Sequence, residues 1–153
     1  MKAVSQIAPI ALRIVYGLAF AAAGAVGLFQ LAPQPPHAGV AGTFVGGLAA
    51  AGYFFPLLKA TELGAGLLLL SGRFVPLALI LLAPIVVNIA AFHFLLEPQG
   101  APVAALFVLA EAGLAWMYRA AFAPLFRRTP TSVRRAEGAP SVPATLDAQA
   151  GQA

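Results

Sequence analysis

Between Phe74 and Leu96 run 23 residues in which His93 is the one ionisable side chain. At a rise of 1.5 Å per residue such a helix is about 34 Å long, enough to cross a hydrocarbon core of roughly 30 Å. Three further apolar stretches accompany it, at about Ile7–Leu31, Tyr53–Ser71 and Pro102–Phe122. The chain therefore reads as an all-α, transmembrane four-helix bundle. Composition agrees. Hydrophobic residues make up 61% and charged residues 9%, where a soluble domain carries about 25% charged. So few charges could not clothe a water-soluble surface of this size.

The connections follow from proline and glycine. Pro9 is expected in the first turn of span one, where a missing N–H costs nothing. Ala32–Gly39 holds Pro33, Pro35 and Pro36 and predicts an extended loop. Val40–Gly52 is apolar but too short to cross, and its glycines weaken it. It is expected as a short interfacial or re-entrant helix between spans one and two, with Thr43 as its cap and Phe44 and Leu48 on one side. The brief Ser71-Gly72-Arg73 turn makes spans two and three antiparallel neighbours. Pro84 should kink span three and free the Ile80 carbonyl. From Arg127 onward the composition turns to Arg, Pro, Ser, Thr, Ala and Gln. Residues 1–126 are thus expected as the membrane domain and 127–153 as a disordered basic, Pro/Ala-rich tail.

Charge placement gives orientation and excludes several functions. Lys2, Arg73, Arg119 and the tail arginines fall on one side, while Ala32–Gly52 and Glu97–Ala101 contain neither Lys nor Arg. Both termini are then expected in the cytoplasm. The first apolar run is too long for a signal-peptide core and reads as a retained span. The net charge of +4 gathers at the tail without interleaved aromatics, which argues against nucleic acid as a partner. No cysteine is present, which removes disulfides, zinc–thiolate sites and cysteine-bound iron–sulfur clusters.

An ionisable group in lipid must have a partner or a task. Lys59 and Glu62, three apart, share one face of span two. They lie about 9 and 13 Å from its outer end on the helical rise. Glu111 on span four and Asn88 on span three fall at similar depth. Arg13 lies about 9 Å in from the inner end of span one. Its face continues through Tyr16, Gly17, Phe20, Gly24 and Gly27 and can admit a neighbouring helix closely. Arg13, Lys59, Glu62 and Glu111 sum to zero charge, so the expectation is that they meet within the bundle. Such a cluster reads as a polar network gluing the helices, as a pocket for a small ligand or proton open to the outer face, or as charges met laterally by a ligand or partner protein.

His93 is about 140° around the helix from Asn88 and is expected to face elsewhere, near the outer interface, rather than to ligate metal or haem. His37 sits in the proline loop, which argues against a bis-histidine haem. Trp116 and Tyr118 fit an aromatic belt, and Arg119 is expected to snorkel to the interface. No nucleophile–base set, phosphate-binding glycine loop or metal-ligand spacing appears, so no catalytic or metal residue is assigned.

The order of these features resembles the DoxX-like family of small bacterial four-span membrane proteins. The resemblance is carried by Arg13-Ile-Val-Tyr-Gly17-Leu-Ala-Phe20, by Gly52-Tyr-Phe-Phe-Pro56-Leu-Leu-Lys59-Ala-Thr-Glu62, and by Gly66-Leu-Leu-Leu-Leu-Ser-Gly-Arg73-Phe-Val-Pro76-Leu-Ala. Leu82-Ala-Pro84-Ile-Val-Val-Asn88-Ile-Ala-Ala-Phe92-His93 and Glu111 complete it. It spans about Leu12–Phe126. It implies a multi-pass protein of the bacterial cytoplasmic (inner) membrane, associated with redox systems. Arg13, Lys59, Glu62, Asn88, His93 and Glu111 are matches to its motifs without an implied role; as the polar intramembrane cluster they are the candidate binding set. The leading expectation is a non-enzymatic subunit that binds a small, quinone-like ligand and serves a membrane or peripheral redox or stress-response partner. A proton-handling subunit of a quinone-reducing oxidoreductase and a small transporter stand as alternatives. No cofactor ligand is expected within the chain, and self-association is left open.

Overall fold

The computed structural model describes residues 2–126, and every element there is helical. The helices are α1 (Lys2–Leu28), α2 (Gly39–Ala50), α3 (Phe54–Ser71), α4 (Val75–Leu95), α5 (Ala101–Met117) and α6 (Arg119–Phe122), with 3-10 turns at Pro98–Gly100 and Ala123–Phe126. Met1–Ala121 forms one unit. Phe122–Ala153 forms a second, of which only the end of α6 and the Ala123–Phe126 turn are described. The expected tail, 127–153, lies outside the described residues.

Four segments are long and apolar enough to cross a membrane: Ile7–Leu28, Phe54–Ser71, Val75–Leu95 and Pro98–Met117. They pack in a ring, α1 on α3, α3 on α4, α4 on α5 and α5 back on α1. The interior holds Phe20, Leu69, Leu79, Leu82 and Leu114. The exterior is apolar as well: Val15, Leu67, Val87, Leu106 and Leu109 are each more than half exposed. An apolar outer surface this continuous suits a lipid environment and would be a liability in water.

The tightest seam joins α1 to α3, antiparallel, and small residues make it. A Cβ added at Gly24 would strike the backbone of Leu63 and the Lys59 carbonyl, and one at Gly66 would strike the backbone of Ala21 and Gly17. The two helices therefore meet backbone to backbone, which is how helices gain van der Waals contact where lipid offers no hydrophobic drive. The α3–α4 turn is closed by Gly72 at φ 69°, whose N–H donates to the Leu69 carbonyl at 3.1 Å. Glycine alone takes that left-handed end without penalty. Ser71 Oγ tightens the turn by accepting from the Arg73 N–H at 3.1 Å.

Several boundaries differ from the sequence reading. Nothing in Lys2–Ile7 breaks a helix, so α1 starts earlier and Pro9 lies inside it rather than in its first turn. Its end at Leu28 precedes a left-handed Gln30. α2 takes the expected short-helix place, but Thr43 does not cap it; its hydroxyl donates back to the Gly39 carbonyl at 3.2 Å. Span four ends at Met117, because the chain leaves helical geometry at Tyr118. Arg119 folds back there, donating to the Trp116 carbonyl at 3.0 Å and lying 4.9 Å from the Trp116 ring centre.

Candidate functional site

At the bundle end opposite Arg73 and Arg119 lies a cavity of about 440 Å³. Each wall has a distinct sequence origin. The prolines of the 32–38 loop hold it extended and carry His37 to the rim. α2 contributes Phe44 and Leu48 from one face, and α3 contributes Phe54, Phe55 and Lys59 from its first two turns. α4 brings Asn88, Ile89, Phe92 and His93. Where α1 passes behind, Gly27 leaves room: an added Cβ there would lie 2.6 Å from Cδ of Lys59. A glycine on one helix thus lets the lysine of another lie flat against it.

The Lys59 ammonium donates to Glu62 Oε2 at 2.8 Å. Glu62 is 3% exposed and does not line the cavity, whereas Lys59 does. The carboxylate sits behind the cavity that Lys59 lines, and the ammonium keeps N–H groups left over from its set of three. A charge this buried persists only when paired and hydrogen-bonded.

The opposite wall is built on Glu97. His37 Nδ1 lies 3.0 Å from Glu97 Oε1. His93 Nδ1 lies 3.3 Å from the Glu97 carbonyl oxygen and 4.0 Å from its Oε2. The His93 ring is seated against Gly100, where any Cβ would collide with it. Phe92 stands edge-to-face with both imidazoles, at 5.4 Å from His37 and 5.2 Å from His93, and tilts against Phe44 at 6.0 Å. Such aromatic pairs add to the burial of their own area. They fasten the loop, α2 and the end of α4 into one wall.

The sequence-derived residues divide between two places. Lys59, Asn88 and His93 line the cavity, and Glu62 backs it. Arg13 and Glu111 are elsewhere, contrary to the expected meeting of four charges. Arg13 packs beside Gly72, ten residues along α3 from Glu62 and therefore about 15 Å away along the axis. Glu111 lies beside Tyr16, whose ring packs with Phe20 and Phe107, while Glu62 is level with Gly24. Those levels differ by eight residues of α1, about 12 Å. Depth counted from assumed span ends had set Glu111 level with Lys59 and Glu62, whereas α5 packs so that Glu111 meets Tyr16; Arg13 stands toward the inner end, as its own depth implied. Arg13 Nε and Glu111 Oε2 are buried without a hydrogen-bond partner among the described residues.

His93 also departs from expectation. It does not face away from Asn88 into a separate environment, since both reach the cavity on a wide face of α4 with Ile89 and Phe92. His37 and Glu97 were not singled out as site residues. The available signal was Glu97 four residues after His93 at a helix end, a spacing that places the two together.

Compared with family models, curated proteins and solved structures, the chain matches none.

Proposed function

We propose that the chain is a DoxX-like, non-enzymatic component of the bacterial inner membrane that holds a small quinone-like ligand in this cavity for a redox or stress-response partner. The observation that carries the reading is the cavity itself. Its volume is in the range of small-molecule sites, and it combines apolar walls with a few convergent polar groups. Phe44, Phe54, Phe55 and Phe92 offer flat faces to a ring. Lys59 and Asn88 offer N–H donors to a ring oxygen. A quinone supplies two carbonyl acceptors on a flat ring and carries electrons and protons together. The residues present fit such a group. The order of matching residues along Arg13–Glu111 supports the family reading and the redox association. Arg73 and Arg119 at the opposite end support, by the positive-inside rule, a cavity at the outer face and chain termini in the cytoplasm.

Equilibrium binding of duroquinone to the purified protein in nanodiscs tests this. Saturable uptake above that of empty discs is expected, weakened about tenfold or more by Phe92→Ala with Asn88→Ala, since each removes a lining group. Uptake indistinguishable from empty discs would refute it.

A further inference from the structure

Two carboxylates stand behind the cavity and neither lines it. One fixes a cation and the other fixes two bases. Glu97 receives Nδ1 of both His37 and His93, through its carboxylate and its backbone carbonyl respectively. A carbonyl oxygen and an ionised carboxylate can only accept, so each Nδ1 must carry the hydrogen. In the uncharged imidazole that assigns the lone pair to Nε2. Neither Nε2 has a hydrogen-bond partner among the described residues, and neither is sealed away as a buried orphan. Both residues line the cavity.

The cavity thus has two unlike poles. Lys59 donates on one side, and the imidazole nitrogens accept on the other. A ligand bearing only acceptor oxygens satisfies the lysine but turns a lone pair toward a lone pair at the imidazoles. A ligand with a ring O–H satisfies both. Resting on the ligand reading above, we propose that the Glu97–His37 pair makes this a site for hydroxyaryl ligands of the hydroquinone class, the ring hydroxyl donating to Nε2 of His37. His37 is chosen over His93 because its Nδ1 is held by the carboxylate itself, which favours that tautomer more strongly than a neutral carbonyl does. His37 acts here as the hydrogen-bond acceptor, and Glu97 as the residue that positions it.

The groups facing His37 are Glu97 and His93 from the end of α4 and Lys59, with Glu62 behind it, from α3. The loop, α2 and the lining part of α1 bring no other ionisable side chain. Acidification protonates an imidazole and abolishes its acceptor, so selectivity for the hydroxyl must fade toward acid pH.

The test compares anaerobic binding of duroquinol and duroquinone to the nanodisc-embedded protein. At mildly alkaline pH duroquinol should bind about tenfold tighter, the scale of one mispaired buried polar contact. The ratio should shrink as acid protonates the imidazole and removes its acceptor. His37→Asn keeps an amide where Nδ1 meets Glu97 but has nothing at Nε2, so the ratio should fall to within about twofold. The pH dependence of the parent protein decides the matter if that variant does not fold. Equal affinity for the two forms, or a preference that survives both His37→Asn and acid, overturns the proposal while leaving the quinone-like cavity standing. Binding of neither form overturns both readings.

Discussion

Replacing Lys59 by methionine leaves Glu62 without its partner in a position only 3% exposed. The 2.8 Å separation corresponds to about 6 kcal/mol of attraction at an effective dielectric constant of ~20, before desolvation is charged against it. Removing one member of a buried pair typically costs about 3–5 kcal/mol, because the survivor stays buried and unpaired. Lys59→Met should therefore destabilise the bundle by that amount. Removing both charges should not: Lys59→Met with Glu62→Leu leaves no uncompensated charge and should recover most of the loss. Equilibrium unfolding in mixed micelles with increasing SDS measures all three proteins against the parent, and the double-mutant cycle gives the coupling directly. A double variant as unstable as the single would refute the reasoning. So would a Lys59→Met cost below about 1 kcal/mol, because either result would mean that the pair does not hold Glu62 in place.

Gly66→Ala forces a Cβ to within 2.8 Å of the Gly17 carbonyl oxygen and should cost about 1–3 kcal/mol by overpacking. Gly64→Ala, with nothing within 4 Å, should shift stability by less than about 1 kcal/mol in the same assay. Glu111→Gln puts an amide where Oε2 is buried without a hydrogen-bond partner and should unfold no more readily than the parent. Gly100→Ala displaces the His93 ring, so the imidazole signals of His93 in NMR spectra should shift while those of the distant Trp116 indole do not. Because the chain contains no cysteine, Gln99→Cys gives a single thiol beside the cavity wall; in intact cells an impermeant maleimide should label it from outside.

The spans were legible because an uninterrupted apolar run of sufficient length has few other uses. The Lys59–Glu62 pair was legible for a local reason, since a spacing of three fixes two side chains on one helix face whatever surrounds them. The antiparallel neighbours α3 and α4 and the close-packing Gly17–Gly27 face of α1 were legible too, but the levels at which side chains of different helices meet were not. Glu111 was set level with Lys59 by counting from span ends, yet the level of one helix on another is decided by which small residues interlock. Gly17, Gly24 and Gly66 hold that information, and their partners appear only in three dimensions. His37 illustrates the same limit differently. Sixty residues separate it from Glu97, and neither end of that contact carries a periodic pattern that would announce it.

The glycine seam has one more consequence. Where two rods touch main chain to main chain, no layer of side chains remains between them to slide or repack, so α1 and α3 behave as a fixed jamb. The facing panel is different: α2 has a single buried residue, Ala41, and its Phe44 leans on Phe92 of α4. The firm side of the chamber is thus decided by three hydrogen atoms standing where methyl groups would be.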